Sequence, residues 1–309
     1  MKHHLVQVEG AQIHVVEAGT GPLVLLVHGF PELWYSWRHQ LPALAEAGYR
    51  AAAIDVRGYG ESSVPAEIEA YGMRRHVSDN VGVVDALGER SAVIVGHDWG
   101  SPIAANSALL APDTFTAVAL LSVPYTPRNG FRPTDAFALA GGDEEFYVSY
   151  FQEPGRAEAE IEPDVRGWLE GFITAGPEAF TIPRGARLSD RFTRRPLPPW
   201  LGDADLDVYV RAFERAGFSG ALNRYRNVDR DWADLEPLDG AVIPQPSLFI
   251  GGERDPSTTW LADAIAAHPR TLTGLVSQHI LEGAGHWLQQ ERPGDVNRLL
   301  IDWLRAVQE

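Results

Sequence analysis

Over the first 124 positions, apolar residues come in short unbroken runs, separated by turns and by stretches of helical spacing. Residues 3–9 and 12–18 are split by Glu9-Gly10, and the pattern predicts a hairpin turning there. The runs "LVLLV" at 23–27, "AAAID" at 51–55, "AVIVG" at 92–96 and "AVALLSVP" at 117–124 show almost no polar alternation. Strands of that kind are buried on both faces of a parallel sheet. Between them, 37–47, 73–88 and 100–111 read as helices. Strand–helix alternation of this sort predicts an α/β fold with a mostly parallel, doubly wound sheet. Ligand chemistry is then expected at the C-terminal ends of its strands.

The pattern breaks near Pro124. From 125 to 236 the segments are helical, rich in aromatics and interrupted by prolines, with no strand of core quality. Alternation resumes with "PSLFIGG" at 246–252, a helix near 257–267, a short strand near 275–281 and a last helix near 293–307. The simplest organisation is a core built from 1–124 and 237–309, interrupted by a helical cap, or lid, at 125–236.

Composition narrows the function classes. A net charge of −16 argues against nucleic acid and anionic membranes, which both call for basic patches. With no cysteine, disulfides, thiolate catalysis and cysteine metal sites are excluded. The N-terminal stretch lacks the apolar region of a secretory signal, and no run approaches the roughly 18 apolar residues of a membrane span. A cytoplasmic protein acting on a small molecule is the expectation.

The chemistry starts at "VGHDWG". The strand at 92–96 leads into Gly96-His97-Asp98-Trp99-Gly100, and a helix follows at once. This is the outline of a nucleophile elbow, with Asp98 in the place usually held by serine. An acidic helix cap is the alternative reading of Asp98, but it leaves the glycines at 96 and 100 unexplained. "HGFPE" follows the strand at 23–27, where the second oxyanion donor of such a fold belongs. Pro31 has no N–H, so the donors are expected to be the amides of Phe30 and Trp99. The Phe30-Pro31 bond is a candidate for cis, and His28 and Glu32 read as structural. In chain order the nucleophile is followed by an acid and then a histidine. Asp255, in the turn after "SLFIGG", and His286, in "EGAGHW", fit that order, with Glu253 as the rival acid. The loop "SVPYTP" offers no carboxylate. "RGYGESS" at 57–63 lacks the residues of a phosphate loop and reads as a tight turn.

A carboxylate, with an ordinary pKa of about 3.9, is ionised at neutral pH and needs no base to activate it. It can displace an alkoxide or halide from saturated carbon and leave an alkyl ester on the enzyme. His286, oriented by Asp255, would then deprotonate the water that attacks the ester carbonyl. A halide needs donors to a soft anion; an epoxide oxygen needs an acid. Tyrosine can supply that acid, and "YVSYFQEPG" and "LNRYRN" place tyrosines in the cap.

Taken together, "HGFPE", "DVRGYGES", "VGHDWG", "YFQEPG", "ALNRYRN" and "GAGHW…ERPGDVN" make the chain resemble the soluble epoxide hydrolases of the α/β-hydrolase fold. The resemblance implies an aspartate nucleophile, a histidine base with its acid, and two cap tyrosines that protonate the epoxide oxygen. By motif these are Asp98, His286, Asp255, Tyr150 and Tyr225, with Tyr147 the rival of Tyr150. It implies a small apolar epoxide and water as substrates, and neither cofactor nor metal. Pro31, Trp34 and Trp37 are expected to line an apolar cavity together with Trp99. Arg224 departs from the bulky apolar or aromatic residue that related sequences often carry there, which would alter pocket shape or polarity. Haloalkane or haloacid dehalogenation and a ligand receptor on the same fold are the competing functions.

Overall fold

The computed structural model describes residues 1–308, which fall into two compact units. The first comprises Met1–Val56, Met73–Pro127 and Gly240–Glu309. Its centre is an eight-stranded sheet of β1 (Lys2–Val8), β2 (Ala11–Ala18), β3 (Leu23–Val27), β4 (Arg50–Ile54), β5 (Ala92–His97), β6 (Phe115–Leu121), β7 (Ser247–Gly252) and β8 (Leu275–Leu281). The order across the sheet is β1-β2-β4-β3-β5-β6-β7-β8. β2 pairs antiparallel with both of its neighbours, and every other pairing is parallel.

The unbroken apolar runs have the expected cause. Every residue of β3, β5 and β7 is buried, because helices cover both faces of the sheet's middle. Each fully buried Val, Leu or Ile contributes roughly 1.5–3 kcal/mol. β8, at the edge, alternates half-buried and exposed residues instead. The helices α1 (Gln40–Glu46), α2 (Met73–Ala86) and α3 (Gly100–Leu110) follow β3, β4 and β5. The helix expected over 37–47 is shorter, because a 3₁₀ turn takes Trp34–Trp37. That turn seats Trp37 in the core with Val16, Val24 and Leu41, fully buried.

The second unit comprises Arg57–Gly72 and Arg128–Asp239. It is helical apart from a pair of two-residue strands, Glu145–Phe146 and Thr181–Ile182. Trp168, Phe172, Phe180 and Phe192 pack ring on ring in it, with centroids as close as 4.9 Å. Residues 57–72, which precede helix α2 in the chain, group with this second unit. The physical reason is long-range hydrogen bonding. Asn227 Nδ2 donates to the Ile68 carbonyl and Arg224 Nη1 to the Tyr71 carbonyl, each at 2.6 Å. Arg224 is thus buried and paired with Asp231, its guanidinium tying helix Ser219–Arg226 to the 57–72 segment.

Candidate active site

The elbow forms because β5 must turn into α3 within a few residues. Asp98 makes that turn at φ +51°, a left-handed conformation that costs a residue with a side chain about 1–3 kcal/mol. The flanking glycines are required by close approach. A β-carbon on Gly96 would lie 2.0 Å from the Gly100 carbonyl oxygen, and one on Gly100 would lie 2.0 Å from that of Val27. An N-cap needs neither, so the capping alternative fails on packing.

Three loops converge on Asp98. The loop after β3, which contains a cis Phe30-Pro31 bond, brings the Phe30 N–H to Asp98 Oδ1 at 2.7 Å. Trp99, whose amide is the other expected donor, lies at the start of α3, where backbone N–H groups favour negative charge. The loop after β8 brings His286 Nε2 to 3.5 Å from Asp98 Oδ2. The loop after β7 buries Asp255, with Oδ1 3.0 Å from His286 Nδ1. Glu253 is spent elsewhere, accepting the Gly283 N–H at 2.8 Å on the surface.

The electrostatics follow from these distances. Burial alone would raise the Asp255 pKa. The charge of His286 and hydrogen bonds from His286, Ser122 and the Ser257 amide outweigh it and hold Asp255 at about 2. Burial pulls His286 down, but the charge and hydrogen bond of Asp255, followed by those of Asp98, push it well above its ordinary value. The neighbouring carboxylates therefore favour the charged form of His286.

Several further residues shape the site. Glu291 clamps the histidine loop, its two carboxylate oxygens accepting the amides of Gly285 at 2.8 Å and Trp287 at 2.9 Å. Beneath the nucleophile, His97 Nδ1 faces Glu32 Oε2 at 2.7 Å and its Nε2 faces the His286 carbonyl at 2.8 Å. Burial would raise Glu32, but the charge and hydrogen bond of His97, then His28 and Ser36, bring it to about 2. The structural reading of His28 fits its surroundings. Its Nε2 accepts the Val56 N–H at 3.0 Å, and its Nδ1 bonds the Gly29 carbonyl at 2.7 Å. Ser122, the residue after β6, donates to Asp255 directly. The motifs "HGFPE", "GHDWG" and "ERPGDVN" contain all of these but Ser122, yet none of them shows the role, because each residue acts through partners far along the chain.

The surroundings of three residues differ from those the sequence led one to expect. Trp37 is a core residue, for the reason given above. The half-buried Trp34 ring stands edge-on to His3 and His14 of the outer strands, with centroids 5.3 and 6.4 Å away, and packs against the same core as Trp37. Tyr150 is buried in the second unit, where its hydroxyl donates to Glu160 Oε1 and the Arg156 guanidinium stands 3.5 Å from its ring centre. Glu160 is itself fixed by the Ser189 amide and hydroxyl at 3.1 and 3.0 Å. It is Tyr147, one helical turn earlier, whose ring lies beside that of Tyr225, with centroids 6.2 Å apart. Pro31 is buried next to Phe30.

The comparisons agree with this geometry. Residues 22–293 match the alpha/beta hydrolase fold family. "Epoxide hydrolase A" of Mycobacterium tuberculosis is 45% identical, over 98% of this chain and 97% of its own. "Epoxide hydrolase B" of the same organism is 41% identical, over 99% and 98%. Among solved structures, an epoxide hydrolase from an endophytic Streptomyces superposes with a TM-score of 0.97 at 68% identity, covering 99% of this chain and 96% of that one. Epoxide Hydrolase A from Mycobacterium thermoresistibile gives 0.92 at 46% identity, covering 98% of each. No helix among the described residues is long and apolar enough to cross a membrane. The chain therefore belongs to the epoxide hydrolases of the α/β-hydrolase fold.

Proposed function

We propose that the protein converts a small apolar epoxide and water to a vicinal diol in two steps. In the first, an Asp98 oxygen attacks a ring carbon, the C–O bond breaks, and a cap tyrosine gives its proton to the leaving oxygen. The product is a hydroxyalkyl ester of Asp98. In the second, His286 takes a proton from water at Nε2 and the hydroxide attacks the ester carbonyl carbon. The amides of Phe30 and Trp99 stabilise the tetrahedral oxyanion. Its collapse frees the diol and restores the carboxylate.

The observation that carries this reading is a carboxylate at the elbow with a histidine–carboxylate pair behind it. A serine elbow needs the histidine to make the nucleophile. Here Asp98 is charged already, and His286 starts as the imidazolium. Esterification removes the Asp98 charge, one of the causes that raise His286. The histidine can then give up its proton, through solvent, to the tyrosinate left by the first step, and act as base at the step that needs one.

The acid is assigned to Tyr147 and Tyr225. Tyr150 is the weaker choice, because its proton is committed to Glu160. Pro31, next to Phe30, is assigned to the substrate-binding surface; Trp34 and Trp37 are not. We assign 125–236 the role of lid, extended to 57–72.

Styrene oxide and a bromoalkane, each offered to the purified protein, test the reading. Diol from the first with no bromide from the second is the expected result. Bromide release without diol would make the protein a dehalogenase, and tight binding with turnover of neither would make it a receptor.

A further inference from the structure

Among the described residues, only two that are not glycine have positive φ, Asp98 at +51° and Ser122 at +69°. Asp98 carries the elbow, and Ser122 stands behind the histidine as a partner of Asp255. It follows β6 directly, is fully buried, and lies in the loop without a carboxylate. The Val123 N–H reaches back across it to the Leu121 carbonyl at 2.8 Å, a γ-turn of the rare and strained hand. Such strain persists only where the surroundings hold it. The Ser122 N–H donates to Ile250 of β7 at 2.8 Å, and the Ser101 hydroxyl of α3 donates to the Val123 carbonyl. The Asp98 N–H donates to the Leu121 carbonyl at 3.3 Å, so the two strained residues brace one another.

The strain aims one hydroxyl. Ser122 Oγ donates to Asp255 Oδ2 at 2.6 Å and lies 3.0 Å from His286 Nδ1. Asp255 Oδ1 is also 3.0 Å from Nδ1, and Asp255 Oδ1 accepts the Ser257 amide at 2.9 Å. Since the Ser122 proton goes to Asp255, its lone pairs face Nδ1, and the Nδ1–H is shared between two oxygens. The ring of three fixes the tautomer that leaves Nε2 directed at Asp98.

We infer that Ser122 is a positioning residue for the second half-reaction, holding Asp255 and the Nδ1–H of His286 so that Nε2 can take a proton from water. This rests on the two-step scheme proposed above. The charge that forms on His286 in that step is stabilised through Nδ1–H by both oxygens. Alkylation needs the Asp98 carboxylate and a tyrosine proton, and no proton moves at His286.

Ser122→Ala and Ser122→Gly separate the hydroxyl from the turn. Both remove Oγ, while glycine adopts positive φ without strain. In single-turnover mixing with styrene oxide, the formation and decay of the Asp98 ester are followed by quenched intact-protein mass. In both variants, ester formation is expected within about twofold of the parent, while decay slows about 10- to 100-fold, the range for losing a hydrogen bond to a charged group. Circular dichroism confirms folding, and the glycine variant serves if the alanine variant does not fold. Unchanged decay in the glycine variant would overturn the inference, since a role confined to the turn predicts that result. Equal slowing of formation and decay would overturn it too. If the parent itself forms no ester, the two-step scheme fails, and the inference falls with it.

Discussion

His286→Gln is expected to stop turnover while leaving the first step intact. Glutamine keeps the volume and some hydrogen bonding but cannot accept a proton from water at neutral pH. Hydrolysis of the ester should fall about 10²- to 10⁴-fold, the usual contribution of a general base. Alkylation should continue, because the nucleophile is an ionised carboxylate held by the Phe30 N–H at 2.7 Å. The enzyme should therefore stall as the ester, and digestion should place one substrate-sized increment on the peptide carrying Asp98. Folded variant without that increment would count strongly against the scheme. The prediction differs from that for a serine elbow, where losing the histidine blocks the first step.

Phenylalanine at both Tyr147 and Tyr225 is expected to do the reverse and block alkylation. The epoxide oxygen leaves as a basic alkoxide, and without a proton donor it stays attached. Each single change should slow ester formation about tenfold, since the partner tyrosine remains, and the double change about 10³-fold. Tyr150→Phe should stay within about twofold, because its hydroxyl serves Glu160. Rapid-quench measurement of ester formation in the four variants checks this. A large loss in Tyr150→Phe with none in Tyr147→Phe would return the acid to Tyr150.

These contrasts show what kinds of information the chain carries in plain view. β3, β5 and β7 are legible because burial on both faces writes itself as unbroken apolar runs. The order of Asp98, Asp255 and His286 is legible because the fold delivers each from a loop after a strand, and Asp255 is the carboxylate found facing His286. Tyr147 and Tyr150 are a different matter. Three residues apart on one short helix, they differ in surroundings: the Tyr150 hydroxyl donates to Glu160, ten residues on and fixed by Ser189, while the Tyr147 ring lies beside Tyr225. Trp37 shows a related limit of local pattern: an indole fills a core as readily as it lines a cavity, and this one is buried in the core. The 57–72 segment joined the second unit through hydrogen bonds from Arg224 and Asn227, over 150 residues away, which no local pattern records. Ser122 was invisible because serine is common and its left-handed backbone has no signature in residue type.

The central claim is that the attacking oxygen belongs to Asp98 and not to water. One turnover in oxygen-18 water, with enzyme in excess over styrene oxide, tests it most directly. The scheme predicts unlabelled diol and a heavy oxygen retained in the carboxylate of Asp98, read by mass on its peptide. Label in the diol from that first turnover, with Asp98 unlabelled, would mean that water attacks the epoxide directly and would contradict the account.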